Sequence, residues 1–191
     1  MNDTPIPLGR ASDPVPSGLR VTPETAIWWA AHIARASPCA KSKRGVMIFD
    51  EGADPNDPYS PSVGLCAMAH NHPTWPFRCD GSEACRGACR DVAIHAEQAA
   101  LIACAQNRID PRGLSLLHVK VGDQPPHGWC AIPGKGPCCV PCSKLILEAQ
   151  IRWIYLYELR EGKGEIVRYS AVDFHRISLE NCSLPVRMES P

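Results

Sequence analysis

Two short motifs carry the side chains best suited to chemistry: His95-Ala96-Glu97 and, about forty residues later, Cys139-Val140-Pro141-Cys142. An imidazole and two thiolates form a nitrogen and sulfur donor set that suits zinc. Residues i and i+3 lie on nearly the same face of a helix, so Cys139 and Cys142 in a first turn can grip one ion. The positive end of that helix also favours thiolate over thiol. Three protein ligands leave a fourth tetrahedral position for water, whose pKa zinc lowers to about 7. Glu97, two residues from a ligand but not one itself, is placed to carry that water's proton. Each motif alone also has a plainer meaning. A lone helical histidine is usually a packing or surface residue, and a C-x-x-C can be a redox pair, which normally follows the first strand of a βαβ unit. Here it comes late in the chain and is preceded by H-x-E, so the combined pattern favours catalytic metal. Cys138 offers an alternative C-x-x-x-C grip.

The surrounding sequence supplies elements to hold these motifs. Thr22-Pro23-Glu24 reads as an N-cap, a first-turn proline and an acidic residue at the positive helix end, opening a helix of about four turns that stops before Pro38. Gly45 to Phe49 and Val63 to Ala69 are apolar runs of strand length, joined by a long segment of turn formers. Ile94 to Gln106 is Ala-rich and too long for a typical strand, which predicts a helix able to approach a sheet closely. A strand at Ser115 to Val121, a helix at Cys139 to Ala149 and a strand at Ile151 to Tyr157 follow. Glu165 to Tyr169 completes the list of strands, and Val172 to Glu180 reads as a final helix. Two strands followed by helix, strand, helix, strand predict an α/β sheet with helices on its faces. Asn71 to Arg90 and Gly122 to Gly136 read as loops.

The chain has 191 residues, which suits one domain with a sizeable core. Residues 1–20, rich in Pro, Ser, Asp and Gly, read as an extended or disordered arm; 21–160 form the core, and 161–191 a strand and helix extension of the same domain. Lys+Arg and Asp+Glu balance at 20 each, so overall charge provides no broad basic face for a long polyanion. No run approaches the roughly 20 apolar residues of a membrane span, and the N-terminus lacks the apolar core of a secretory signal. These features predict a cytoplasmic protein without a membrane partner. The 11 cysteines, an odd number, fit metal binding better than a disulfide scaffold in that compartment.

Taken together, IHAEQAALIACA, the strand after it and CCVPCSKLILEAQIRWIYLYE resemble the core of the cytidine deaminase superfamily over about residues 22 to 158, and H-x-E with C-x-x-C is that superfamily's zinc signature. The resemblance implies a three-layer α/β/α fold around a mixed sheet of about five strands. It implies hydrolytic deamination, with a catalytic zinc on His95, Cys139 and Cys142. Glu97 would take a proton from water, give one to the ring nitrogen beside the target carbon, and finally protonate the departing ammonia.

Within that superfamily, histidine at position 95 resembles the deoxycytidylate, tRNA adenosine and guanine deaminases rather than free cytidine deaminases. The tight Cys139-x-x-Cys142 spacing departs from the riboflavin-pathway branch. The cysteines before His95 resemble the deoxycytidylate deaminases of bacteria and phages, which implies a second, structural zinc on Cys39, Cys79, Cys85 and Cys89, with His70 and His72 in reserve. Asn71 matches the asparagine that contacts the sugar in that branch, although a turn asparagine would look the same. The resemblance thus implies a small-molecule pyrimidine nucleotide as substrate, dCMP to dUMP first. A nucleic-acid cytosine or adenine deaminase, or one acting on a modified or purine base, is the alternative. It also implies a homo-oligomer. Arg78, Arg86, Arg90 and the Lys41 to Arg44 cluster are open candidates for a phosphate contact. Cys138, normally proline, His72, normally glycine, and the long 122–136 segment depart from the family pattern.

Overall fold

The computed structural model describes residues 23–51, 65–124 and 128–182. The expected N-terminal arm, most of the segment joining the first two strands, and the last nine residues lie outside them. Five helices and eight strands order as α1 (Pro23–Arg35), β1 (Lys43–Phe49), β2 (Leu65–His70), β3 (His72–Pro73), α2 (Glu83–Val92), β4 (Ala93–Ile94), α3 (Ala96–Gln106), β5 (Ser115–Asp123), β6 (Trp129–Ile132), α4 (Val140–Glu148), β7 (Trp153–Arg160), β8 (Lys163–Ser170) and α5 (Ala171–Asn181).

The main sheet runs β2-β1-β5-β7-β8. All its pairings are antiparallel except β5 with β7, where Ser115 to His118 align with Trp153 to Leu156. The sheet is therefore mixed, with the single parallel step made through the crossover that carries α4. Strand side chains alternate between the two faces. Met47, Phe49, Leu117, Val119 and Val121 enter one core with α1, whereas Val46, Ile48, Leu116, Ile154 and Leu156 enter a second core with α3, α4 and α5. Each fully buried side chain of this size stabilises the fold by roughly 1.5–3 kcal/mol. Two cores on opposite sheet faces make the three-layer α/β/α arrangement that the sequence predicts.

Two segments read as loops contain structure. Within 122–136, β6 pairs with the far end of β5, Val121 opposite Ala131 and Asp123 opposite Trp129. Within 71–90, Ser82 caps α2 by accepting from the Cys85 backbone N–H. The sixth strand of the main sheet is thus a local addition to β5. Residues 163–182, where the sequence shows no motif, continue the same sheet and cover it. Glu161 and Gly162, at φ 49° and 81°, make the two-residue turn between β7 and β8 that needs positive φ at both positions.

Gly45 on β1 sets how closely α1 approaches the sheet. A Cβ there would collide with the Ala30 carbonyl oxygen and lie 2.9 Å from the Ala34 nitrogen, both backbone atoms that cannot swing aside. Gly45→Ala is expected to destabilise the protein by about 3 kcal/mol, as overpacking against backbone does. Denaturant unfolding checks this, and an unchanged midpoint would contradict the contact.

Candidate functional site

The two motifs meet at the N-termini of two helices on the same face of the sheet. His95 is the N-cap of α3, and its own backbone N–H is held by Gln98 Oε1 at 2.9 Å. Cys139 is the N-cap of α4, in extended conformation, and Pro141 sits in the first turn where its missing N–H costs nothing. That turn is fixed to α5 by a 2.9 Å hydrogen bond between Ser143 Oγ and His175 Nδ1. His95 Nδ1 lies 3.2 Å from the sulfur of Cys139 and 3.2 Å from that of Cys142.

Among the described residues these three form the single group of three or more such donors with ligand atoms all within 4.8 Å of one another. A tetrahedral zinc, with bonds of about 2.0 Å to nitrogen and 2.3 Å to sulfur, holds those atoms about 3.5 Å apart, so the donors fit such an ion. Their protonation also fits. The hydrogen bond from Cys142 brings Cys139 down to about 5, despite burial and with help from His95. The same bond, then burial and the nearby Glu97 charge, push Cys142 up. His95 is held above its ordinary value by its hydrogen bond with Cys139, against the opposing effect of burial. A buried pair of sulfurs that cannot both ionise by themselves is one that a dication would complete. Cys138 is exposed and stays outside the cluster.

Glu97, in the first turn of α3, is 6% exposed, and its Oε2 accepts from the Cys142 sulfur at 3.6 Å. On the opposite side, His118 Nδ1 lies 3.9 Å from Oε1. Burial alone pushes the Glu97 carboxyl up, but His118, its own backbone N–H, His95 and Arg44 outweigh it, leaving the group below the ordinary carboxylate value. Burial moves His118 the other way for a base, below its ordinary value. Sequence reasoning missed His118. Its signal is positional: on β5 it occupies the face that Leu116 gives to the α3 side, a polar residue in an apolar alternation.

The other candidate residues gather beside this centre. Cys39, Cys79, Cys85 and Cys89 line one cavity of about 30 Å³ together with Asn71, His72 and Arg78. Cys85 and Cys79 sulfurs are 3.5 Å apart, and the Ala40 backbone N–H, 3.1 Å from the Cys79 sulfur, lowers that thiol's pKa. His72 lines the same cavity and His70 does not. Asn71 is buried, and its side chain ties the α1–β1 connection: Oδ1 accepts from the Arg44 N–H at 2.8 Å and Ser37 Oγ at 2.9 Å, and Nδ2 donates to Ser42 O at 2.8 Å. One amide hydrogen remains. Lys43 is already used, capping the end of α1 through the Arg35 and Ser37 carbonyls. Arg78 and Arg86 are exposed, Arg44 is half-buried, and the Arg90 side chain lies outside the described residues. Trp29 is buried, and Trp28 and Trp153 pack against the α1-side core.

The layers and the clustered donors define an α/β/α domain with a nitrogen and sulfur donor cluster, able to hold a metal ion, at two helix N-termini. No protein-family model matches the chain, and no curated protein does. Solved structures do match. A dCMP deaminase from the cyanophage S-TIM5, in complex with dCMP and dUMP, superposes with a TM-score of 0.53 at 20% identity over 81% of this chain and 90% of its own. Its apo form gives 0.51 at 18% identity over 82% and 90%. A cytidine deaminase from Burkholderia pseudomallei gives 0.50 at 14% identity over 81% and 96%. The chain therefore has the cytidine deaminase-like fold.

Proposed function

We propose that the chain is a zinc-dependent hydrolase that removes the exocyclic amino group of a pyrimidine nucleotide, with dCMP to dUMP as the reaction to test first. The observation that carries this is the convergence of His95, Cys139 and Cys142 on one point, with a buried carboxylate beside it that is not part of the donor set. Zinc, when bound there, supplies activation of water as a nucleophile. Glu97 accepts the proton that the attacking water loses and delivers one to the ring nitrogen next to the target carbon. It then takes the remaining hydroxyl proton of the hydrated ring and passes it to the amino group, whose bond to carbon breaks to release ammonia. Burial of Glu97 keeps competing water from the carboxylate, so the proton stays on the reaction path. The free amide hydrogen of Asn71 can meet a sugar hydroxyl. The phage structure that holds dCMP and dUMP supports the choice of substrate class. Ammonia release is expected from dCMP or a 5-substituted form with the zinc-loaded protein. No release from any cytosine nucleotide would sink this substrate assignment.

A second reading places an unpaired base of a nucleic acid, or a modified or purine base, in the same site. It draws on Trp75, 92% exposed, and Phe77, 56% exposed, next to the exposed Arg78, an arrangement on which unpaired bases can stack. The balanced charge argues against it. A salt-dependent mobility change with single-stranded DNA or tRNA, with deamination of that strand, would favour it over the free nucleotide.

The proposal extends to a structural zinc on Cys39, Cys79, Cys85 and Cys89, supported by their shared cavity and the 3.5 Å Cys79–Cys85 pair; no three of the four sulfurs lie within 4.8 Å of one another here, so binding requires the others to close in. Purified protein is expected to hold two zinc ions per chain. Cys85→Ser should hold one, melt lower and keep turnover on dCMP within a few-fold, as read by metal analysis and thermal unfolding. A single zinc in the unaltered protein would refute this part. We also place the protein in the cytoplasm, where thiols stay reduced, as a homo-oligomer. Ile102, Leu145 and Val172, exposed on α3, α4 and α5, support the oligomer. No described helix is long and apolar enough to cross a membrane.

A further inference from the structure

We infer that His118 is a positioning residue for Glu97: its Nδ1–H holds Glu97 Oε1, so that Oε2 keeps facing the cluster of His95, Cys139 and Cys142. The catalytic meaning rests on the proposed deamination; the contact itself does not.

A histidine on the covered face of a central strand replaces an apolar side chain, which is costly unless its polar atoms find partners. Leu117 and Val119 on either side turn into the α1-side core, so His118 points with Leu116 towards α3. There its Nδ1 stands 3.9 Å from Glu97 Oε1, with both side chains largely buried, at 13% and 7% exposure. Its Nε2 is buried and finds no partner among the described residues. That asymmetry selects a tautomer. With the hydrogen on Nδ1, the ring points a donor at a carboxylate and leaves only an acceptor lone pair unmatched. With the hydrogen on Nε2, it would leave a buried N–H orphaned and aim a lone pair at Oε1, which is repulsive.

The opposite oxygen of Glu97 accepts from the Cys142 sulfur at 3.6 Å. In the metal-free site the Cys142 thiol and the His118 ring flank the carboxylate; once a metal takes the Cys142 proton, only His118 of these two can still donate to Glu97. The 3.9 Å separation is longer than a closed hydrogen bond, and such contacts often tighten only when substrate is bound. A proton carrier must stay aligned with two successive acceptors, and misplacement of about 1 Å can cost about 100-fold in rate. Without His118, Glu97 keeps its chemistry but loses the side chain that orients it once the metal is bound.

Two measurements test this on the full-length zinc-loaded protein. Histidine-ring proton–nitrogen correlation spectra should show His118 as the Nδ1–H tautomer, with that nitrogen's resonance moving in Glu97→Gln. An Nε2–H tautomer, or a resonance indifferent to Glu97→Gln, overturns the inference whether or not the protein turns over any substrate. With dCMP as substrate, His118→Leu should lower kcat about 30- to 100-fold with KM within about twofold and zinc content unchanged. His118→Asn, whose amide reaches where Nδ1 stood, should recover most of that loss. Equal impairment of the two variants, or unchanged kcat in His118→Leu, overturns it. Failure of the unaltered protein to act on any cytosine nucleotide would instead count against the proposed substrate, and the spectra would still decide the inference.

Discussion

Replacing Glu97 with alanine is expected to lower turnover of dCMP by about 10²- to 10⁴-fold while leaving zinc content unchanged, the range that a positioned proton carrier contributes. The two parts of that expectation come from separate facts. Glu97 lies outside the group of donors that face one another within 4.8 Å, so its removal leaves three protein ligands in place. It is also buried, with its carboxyl held below the ordinary value by His118 and the groups around it, so at neutral pH it is a base ready to accept a proton. Folding should survive the change. A buried carboxylate is held at the cost of its lost hydration, so a smaller neutral side chain removes that cost along with its hydrogen bonds. Steady-state kinetics with metal analysis on the same sample checks both parts. Activity within tenfold of the unaltered protein would refute the proton-carrier role, and loss of zinc would mean that Glu97 helps to hold the metal.

The clustering of His95, Cys139 and Cys142 beside Glu97 was legible in the sequence because the chemistry proposed for them needs particular residue types at particular spacings. His95, Glu97, Cys139 and Cys142 each stand at the start of a helix, where side chains i and i+3 share a face, and the fold brings the two starts together. The alternation of β1, with Val46 and Ile48 on one face and Met47 and Phe49 on the other, had no such clarity, because a strand covered on both sides reads as a continuous apolar run. Only the helices on both sides explain it.

What sequence reasoning missed depends on neighbours far away in the chain. β6 is a four-residue strand between turn formers, and it exists because the end of β5 outruns β7 and leaves an unpaired edge there. α2 (EACRGACRDV) has Gly87 in its middle and no long apolar stripe, so it reads as loop; its Ser82 cap and the packing of its cysteines towards Cys39 and Cys79 make the helix. Asn71 shows the reverse case. Its position suggested a substrate contact, and the structure shows the same amide also ties together Ser37, Ser42 and Arg44. Substitution there would therefore affect packing and any sugar contact at once. His118 belongs with β6: its one mark in SLLHVKV is a polar residue at an apolar position, and that gains meaning only from what α3 places across from it.

Cys142→Ala is expected to abolish binding of the catalytic zinc and with it turnover, by about 10³-fold or more, whereas Cys138→Ala should leave both intact. The contrast separates the C-x-x-C grip from the alternative C-x-x-x-C grip. Cys142 is fully buried with its sulfur 3.2 Å from His95 Nδ1, and Cys138 is exposed. The protonation of the free site adds a second, independent sign. Cys139, brought to about 5, is already a thiolate at pH 7, whereas Cys142 keeps its proton because a second negative charge in that buried space has no counterion. Zinc supplies the counterion, so loading the metal at pH 7 should expel at least the Cys142 proton, together with the fraction carried by His95, whose pKa is raised. Calorimetric titrations in buffers of different ionisation enthalpy measure that release. Affinity should weaken as pH falls and the ligands take protons back, and the loaded protein should be more stable than the metal-free form by about 4 kcal/mol when free zinc is about a thousandfold above its dissociation constant. If Cys138→Ala lost the metal and Cys142→Ala kept it, the ligand assignment would be reversed. Zinc binding without proton release would mean that Cys142 never gives up its hydrogen, and a neutral thiol is not a zinc ligand.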